Sequence, residues 1–311
     1  MKNNKLLSEL VEHTCCPLCD RQAIDHLVGI RDLHYGIDGK WRYQKCINCK
    51  VIFLNPSPSP KFLSDAYDDS YYSYQDFDDG SAFHRLARWL LGSSPYRTKD
   101  PYFPNAGRIL DIGCGSGQFL YKMKRLGWDT AGIELSNVAA EIGNTKHSLN
   151  IHPGTVHDAT FPAEYFDYIR LNHSFEHLLD PRDTLDRIRY LLKPDGLMFI
   201  GVPNTASLQA KLFGRHWWNL GPPVHPFNYS PHTLKLLLSE HGFEIVRWRT
   251  NSNFAGFLGS MQLRANEKIG VYKDSGAIIR NNFAKLIFNW IAKLLDFFRI
   301  GDCLEVIAKK K

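Results

Sequence analysis

The stretch Arg108-Ile-Leu-Asp111-Ile-Gly113-Cys-Gly115-Ser-Gly117-Gln-Phe-Leu120 decides the fold. Arg108 to Ile112 reads as a short buried strand, and Gly113 to Gly117 as a tight glycine loop. Gln118 to Leu126 reads as a helix, with Phe119, Leu120, Met123 and Leu126 at helical spacing. A strand that feeds a glycine loop and then a helix is the nucleotide-binding corner of a doubly wound α/β sheet. Glycine suits the loop because the turn needs unusual dihedrals and a ligand must approach the backbone closely. The helix start offers free N–H groups and a positive dipole end to an anionic group.

Spacing narrows the ligand. A dinucleotide fingerprint is G-x-G-x-x-G, whereas here the third glycine is Gly117 and position 118 is Gln. The pattern Asp111-x-Gly113-x-Gly115-x-Gly117 instead resembles motif I of the class I S-adenosylmethionine-dependent methyltransferases. That resemblance implies S-adenosylmethionine as cofactor, with Asp111, Gly113, Gly115 and Gly117 around it. Trp128 to Glu134 reads as a second strand ending in an acid. Glu134 follows the loop at about the spacing of 20 residues expected of a carboxylate that holds ribose hydroxyls.

The expected fold is α/β, a Rossmann-like seven-stranded sheet. Asn137 to His147 is the next helix, with Ser136 as N-cap. Thr155-Val-His-Asp158 reads as the end of a third strand, and the resemblance gives Asp158 the adenine amine. Phe166 to Leu171 is an apolar run suited to a central parallel strand, and Asn172 beyond it joins the cofactor contacts. Asp180-Pro181 opens a helix to Leu192, with proline in its tolerated first turn. Lys193 to Gly196 turns into a fifth strand, Leu197 to Val202, in a segment similar to the family's. Phe243 to Trp248 is the sixth strand. Asp302 to Ala308 is the last, antiparallel if it follows the family's seventh.

His173-Ser-Phe-Glu176-His177 follows strand four, at the carboxyl end where open α/β sheets place ligands. On a helix, positions 173, 176 and 177 share one face, and two imidazoles with a carboxylate suit a divalent metal. The segment resembles the E-x-x-E-H of ubiquinone-biosynthesis O-methyltransferases and small-RNA 2′-O-methyltransferases, where it implies a divalent cation beside the acceptor oxygen. Here His173 replaces the first acid. His225 lies in Trp217-Trp218-Asn-Leu-Gly-Pro-Pro-Val-His225-Pro, which resembles a segment of methyltransferases that carry an N-terminal cysteine module, and the resemblance implies a place over the acceptor pocket. His225 is either a general base or a further metal ligand, placed opposite the His173/Glu176/His177 group. The paired tryptophans either floor the acceptor or fill the lid.

Upstream, Cys16-Pro-Leu-Cys19 and Cys46-Ile-Asn-Cys49 are two C-x-x-C hooks. Together they make a closed, structural tetrahedral thiolate cage for zinc; Cys15 substitutes for Cys16 only with an altered loop. A module this small needs its metal. Asn55-Pro-Ser-Pro-Ser-Pro60 then reads as a rigid extended boundary. Tyr67, Asp68, Asp69, Tyr71, Tyr72 and Tyr74 follow, then a helix over Ser81–Gly92 and a break at Pro101–Pro104. The order of cysteine module, "NP-P" turn and "Y…YY" segment resembles methyltransferases that include sugar C-methyltransferases, although no second α/β core follows here. The expected division is 1–60 zinc module and linker, 61–104 tyrosine segment and covering helix, and 105–311 core, with a helical insertion at 255–300.

Composition sets the remaining bounds. The 44% hydrophobic content over 311 residues is enough for a real core. The formal charge of +6 is diffuse and does not by itself point to nucleic acid. Met1 to His13 has no apolar signal core, and seven cysteines speak against a disulfide framework. A cytoplasmic, reducing location is expected. Within 278–300, apolar residues recur at helical spacing, interrupted by Arg280, Lys285, Lys293 and Arg299. This is a membrane-surface helix at the inner membrane face, a dimer face or a lid. The expected function is methylation of a small-molecule or saccharide acceptor in polysaccharide or secondary-metabolite biosynthesis. RNA methylation and a non-catalytic zinc-bearing scaffold are the alternatives.

Overall fold

The computed structural model describes residues 10–34, 36–66 and 106–311. The tyrosine segment with Tyr71 and Tyr72, the helix expected over 81–92 and the break at 101–104 lie outside the described residues. The N-terminal unit contains β1 (Leu10–Val11), β2 (Ala23–Ile30), β3 (Trp41–Cys46), β4 (Ile52–Leu54), β5 (Ser57–Pro58) and α1 (Pro60–Ala66). β2, β3 and β4 form an antiparallel ladder. The proline run is no extended linker. After a cis Asn55–Pro56 bond the chain pairs β5 with β1, and both residues of β5 are buried. Asn55 ties this return: its Oδ1 accepts from the His13 N–H at 2.9 Å and its Nδ2 donates to the His13 carbonyl at 2.7 Å. The pairing partner lies far back in sequence, which is why local proline content misread it.

The core alternates as expected through β6 (Arg108–Ile112), α2 (Gln118–Arg125), β7 (Asp129–Glu134), α3 (Asn137–His147), β8 (Ile151–Pro153), β9 (Phe166–Asn172), α4 (Pro181–Leu191) and β10 (Leu192–Pro203). Then come α5 (Leu208–Phe213), β11 (Phe227–Asn228), α6 (Pro231–Glu240) and β12 (Phe243–Thr250). The insertion supplies α7 (Ala255–Lys268), α8 (Ala277–Arg280) and α9 (Asn282–Phe297), and β13 (Cys303–Lys310) closes the sheet. The seven strands lie in the order β12-β13-β10-β9-β6-β7-β8. β13 runs antiparallel to both neighbours, while β6 to β10 are mutually parallel. The order reverses at β6, so the crevice at its carboxyl end is the switch point where such sheets bind ligands.

Capping explains several boundaries. Ser136 Oγ accepts from the Ala139 N–H, and Asp180 caps α4 ahead of Pro181. Strand three ends earlier than Thr155–Asp158 suggested. Past Gly154 (φ +126°) the chain turns, and Thr155 donates its N–H and hydroxyl to Asp158 Oδ2 at 2.7 and 2.6 Å. This local side-chain turn outcompetes further pairing. The helical run expected over 278–298 likewise breaks, because Asn281 Oδ1 accepts from the Ala284 N–H and starts α9 anew.

The N-terminal unit is fused to the core. β11 pairs with β4 and completes a four-stranded sheet. Cys16, Cys46, Cys49 and Phe53 share one buried cluster with Phe175, Phe227, Tyr229 and Leu234.

Candidate active site

At the switch point the three glycines of the loop are left-handed, with φ of +76° at Gly113, +57° at Gly115 and +85° at Gly117. A Cβ at Gly113 would lie 2.5 Å from Ser174 Cβ, and one at Gly117 would lie 2.3 Å from Leu149 Cδ1. Only glycine meets both demands. Glu134, 7% exposed, accepts the Gly115 N–H on Oε2 at 2.8 Å and the Ser136 N–H on Oε1 at 3.0 Å. Burial raises its pKa against the pull of those N–H groups. The acid therefore braces the loop it borders, and each oxygen keeps lone-pair capacity for a ribose hydroxyl. A loop stripped of side chains, beside a buried acid, fits the sulfonium nucleoside expected from its spacing.

Other expected cofactor contacts are differently placed. Both Asp111 carboxylate oxygens lie on Arg170 Nη1, at 3.0 and 3.1 Å, in a nearly buried pair across β6 and β9. The Arg170 guanidinium also stacks 4.0 Å from the Phe119 ring centroid. Arg170 was hidden in an apolar strand, yet a charge in a central strand is itself a signal that a partner exists. Asn172 ends β9 beside Gly201, where a Cβ would lie 2.7 Å from Asn172 Oδ1. Asp158 is exposed on its turn, held below the usual carboxylate range by the Thr155 hydrogen bonds.

Beyond β9, His173 adopts φ +54° and the chain makes a single 3-10 turn, Phe175–His177. The short turn replaces the helix expected over 173–177, so the three side chains do not form one helical face. Glu176, His177 and His225 instead converge, with one ligand atom of each within 4.8 Å of the others. The His177 and His225 ring centroids are 4.6 Å apart. His225 thus joins the cluster rather than facing it from across a pocket. His173 stands at its edge, with Nδ1 3.4 Å from Glu176 Oε1.

The electrostatics suit a carboxylate with neutral imidazoles. Burial pushes Glu176 up, but the His173 hydrogen bond and the surrounding imidazoles outweigh it and hold the acid at about 2. Desolvation opposes protonation of His173, yet Glu176 raises its pKa above the ordinary value. Burial lowers His177, and burial reinforced by His177 brings His225 down to about 3. His177 Nδ1 lies 2.7 Å from the Val224 carbonyl and His225 Nδ1 lies 3.0 Å from the Asn219 carbonyl. With those nitrogens donating, each Nε2 carries the lone pair. Among the described residues, buried Glu176 Oε2 has no hydrogen-bond partner. One orphaned carboxylate oxygen and two oriented imidazoles fit a divalent cation.

The N-terminal cysteines form a second centre. Cys16 and Cys49 sulfurs are 3.7 Å apart and those of Cys19 and Cys46 are 3.4 Å apart. A tetrahedral site with Zn–S bonds of about 2.3 Å has edges of about 3.8 Å. The Asn48 N–H donates to Cys46 Sγ at 3.3 Å. Cys15 lies outside the four and contacts Asp20. The donor set fits structural zinc.

This module holds the His225 loop. The Tyr43 hydroxyl of β3, fully buried, donates to the Leu220 and His225 carbonyls at 3.0 and 3.1 Å. Gly221 (φ +60°) leaves room for the His225 ring, since a Cβ there would lie 2.4 Å from Nδ1. Trp217 is 3% exposed and packs with Trp41 and Phe62, so it fills the lid base. Neither Tyr43 nor Tyr229 stood out in the sequence; the buried Tyr229 hydroxyl, beside the Glu176 charge, has no partner among the described residues.

The chain is similar to several known proteins. A family model described as "Methyltransferase domain" matches residues 79–247. The ubiquinone biosynthesis O-methyltransferase of Actinobacillus pleuropneumoniae serotype 5b is 32% identical over 108 residues, 31% of this chain and 46% of that protein. The mitochondrial ubiquinone biosynthesis O-methyltransferase of Schizosaccharomyces pombe is 28% identical over 229 residues, covering 70% of this chain and 72% of that protein. The chain spans about half the length of the first curated relatives it matches. A solved SAM-dependent methyltransferase from Archaeoglobus fulgidus aligns with a TM-score of 0.47 and 23% identity, over 73% of this chain and 92% of that one. The glycine corner, the seven-strand order with its antiparallel β13, and a family match over more than half the residues converge: this chain belongs to the methyltransferase domain family, among the class I S-adenosylmethionine-dependent methyltransferases.

Proposed function

We propose that the chain methylates an oxygen of a small-molecule acceptor, with Glu176, His177 and His225 as the ligands of a divalent cation at the acceptor end. The convergence of those three side chains one turn beyond β9 carries the reading. The sulfonium cofactor, when bound, supplies an activated methyl group, so this chain's residues chiefly position the partners. Gly113, Gly115, Gly117 and Glu134 hold the cofactor end, and Asn172 borders it. A cation on the cluster lowers the proton affinity of an acceptor hydroxyl. His225 serves better as a ligand than as a base, since its Nδ1 is fixed by the Asn219 carbonyl and a ring nitrogen lies within 4.8 Å of ligand atoms of Glu176 and His177. His173 orients Glu176 through their hydrogen bond. The relatives' printed names, O-methyltransferases of ubiquinone biosynthesis, support oxygen as the attacking atom. A phenolic acceptor fits this chemistry as well as a saccharide hydroxyl does.

Titration with Mn2+, followed by electron paramagnetic resonance on protein that retains its zinc, tests the cluster. One manganese site is expected in the wild type, weakened about 10–100-fold or more in Glu176→Gln and His225→Ala. A wild type that binds no manganese, or variants that bind it equally well, would remove the cation from the reading.

A further inference from the structure

We propose that α9 docks this protein onto an anionic lipid surface. The helix carries apolar residues on its outer side as well as its inner one. Phe283, Leu286, Ile287, Trp290, Leu294 and Phe297 recur at helical spacing on one stripe, and they are exposed, with Phe283 at 73%, Trp290 at 74% and Phe297 at 80%. The polar side chains face inward instead. Asn289 Oδ1 accepts from the Phe254 N–H at 3.0 Å, and the Lys285 ammonium lies 5.3 Å from the Phe254 ring centroid. Lys293 Nζ donates to the Ser252 carbonyl at 2.7 Å, to Asn251 Oδ1 at 3.1 Å and to Asp296 Oδ2 at 3.0 Å. These hydrogen bonds join buried Ala292 and Leu295 and the Phe288–Phe257 ring contact in anchoring the inner side, while Phe283, Trp290 and Phe297 stay exposed on the outer side. A contiguous exposed stripe of this kind marks an interaction surface.

Charge selects the partner. Residues 277–300 contain four cations, Arg280, Lys285, Lys293 and Arg299, and one acid, Asp296, which is paired with Lys293. Arg280 and Arg299 are exposed at the two ends of the stripe. A second copy of the chain would bring two such cationic faces together, which like-charge repulsion opposes. A bilayer with anionic headgroups offers apolar depth for the stripe and opposite charge for its ends. Three phenylalanines and a tryptophan in the stripe and its flank, with Phe298 60% exposed, suit the headgroup boundary. The contact is peripheral: among the described residues, no helix is long and apolar enough to cross a membrane. The helix also packs on α7, whose Gly259 lies against Trp218 of the His225 segment. Docking would therefore set the lid side of the site towards the lipid.

Co-sedimentation of the zinc-loaded full chain with vesicles tests this inference independently of the acceptor chemistry. The wild type should sediment with phosphatidylcholine vesicles containing phosphatidylglycerol and only weakly with phosphatidylcholine alone. Trp290→Glu/Phe297→Glu should cut that binding at least about tenfold, with an unchanged melting temperature because both side chains are exposed. No sedimentation of the wild type, or equal sedimentation of the variant, would overturn the proposal. So would a dimer in analytical ultracentrifugation that the same variant dissociates, because the stripe would then belong to a second copy.

Discussion

Asp302, just before β13, is buried at 2% exposure, with Oδ2 accepting from Asn219 at 3.1 Å and Oδ1 without a partner among the described residues. Burial raises its pKa to about 6. A raised carboxylate favours folding while it is protonated, and that contribution is lost as pH rises through the folded value. From about 4 unfolded to about 6 folded, the loss approaches roughly 3 kcal/mol above pH 7. Asp302→Asn stays neutral, so its stability relative to wild type should rise between pH 4.5 and 7.5 in urea unfolding. A difference independent of pH would show that Asp302 is not the titrating group. Residues such as the three glycines, Glu134 and the four cysteines were legible because each does one job at a fixed sequence spacing. Asp302 was not, nor was the Asp111–Arg170 pair, whose partners are 59 residues apart. Their roles arise from packing between strands, which local pattern does not encode.

The zinc module acts as an element of the site as well as of the fold. Tyr43 holds the His225 carbonyl, β4 pairs with β11, and Thr233 of α6 donates to the Cys49 carbonyl at 2.9 Å. Cys46→Ser should lower zinc content and melting temperature together, because metal binding and folding of such a module are coupled. It should also weaken manganese binding at Glu176, His177 and His225, because the loop that carries His225 loses its support. Metal analysis and calorimetric melting check the first expectation. An equally stable variant without zinc would contradict it. At this scale the alternation of strands and helices was readable from hydrophobic period and capping residues. The 3-10 turn at Phe175–His177 and the returning β5 were not, because each depends on contacts with segments distant in sequence. The exposure of α9 was left open between a membrane face, a dimer face and a lid, since a period locates an apolar stripe without saying which side the fold will cover.

For the whole molecule, the sheet order sets the glycine loop after β6, Glu134 at the end of β7 and the Glu176–His177 turn after β9, with Ser174 Oγ donating to the Ile112 carbonyl, and the cysteine module braces the His225 segment through Tyr43. Chain order alone predicted the sheet. The convergence of His225 with Glu176 and His177 required the module to seat the lid. The glycine loop and Glu134 are proposed to hold the sulfonium nucleoside. Isothermal titration of the zinc-loaded chain with S-adenosylhomocysteine measures that most directly. One equivalent should bind. Glu134→Gln, which keeps a single acceptor oxygen, should weaken binding about 10–100-fold, as expected for loss of a hydrogen bond to a charged group. A wild type that gives no heat of binding, or a folded Glu134→Gln variant that binds as tightly, would contradict the account.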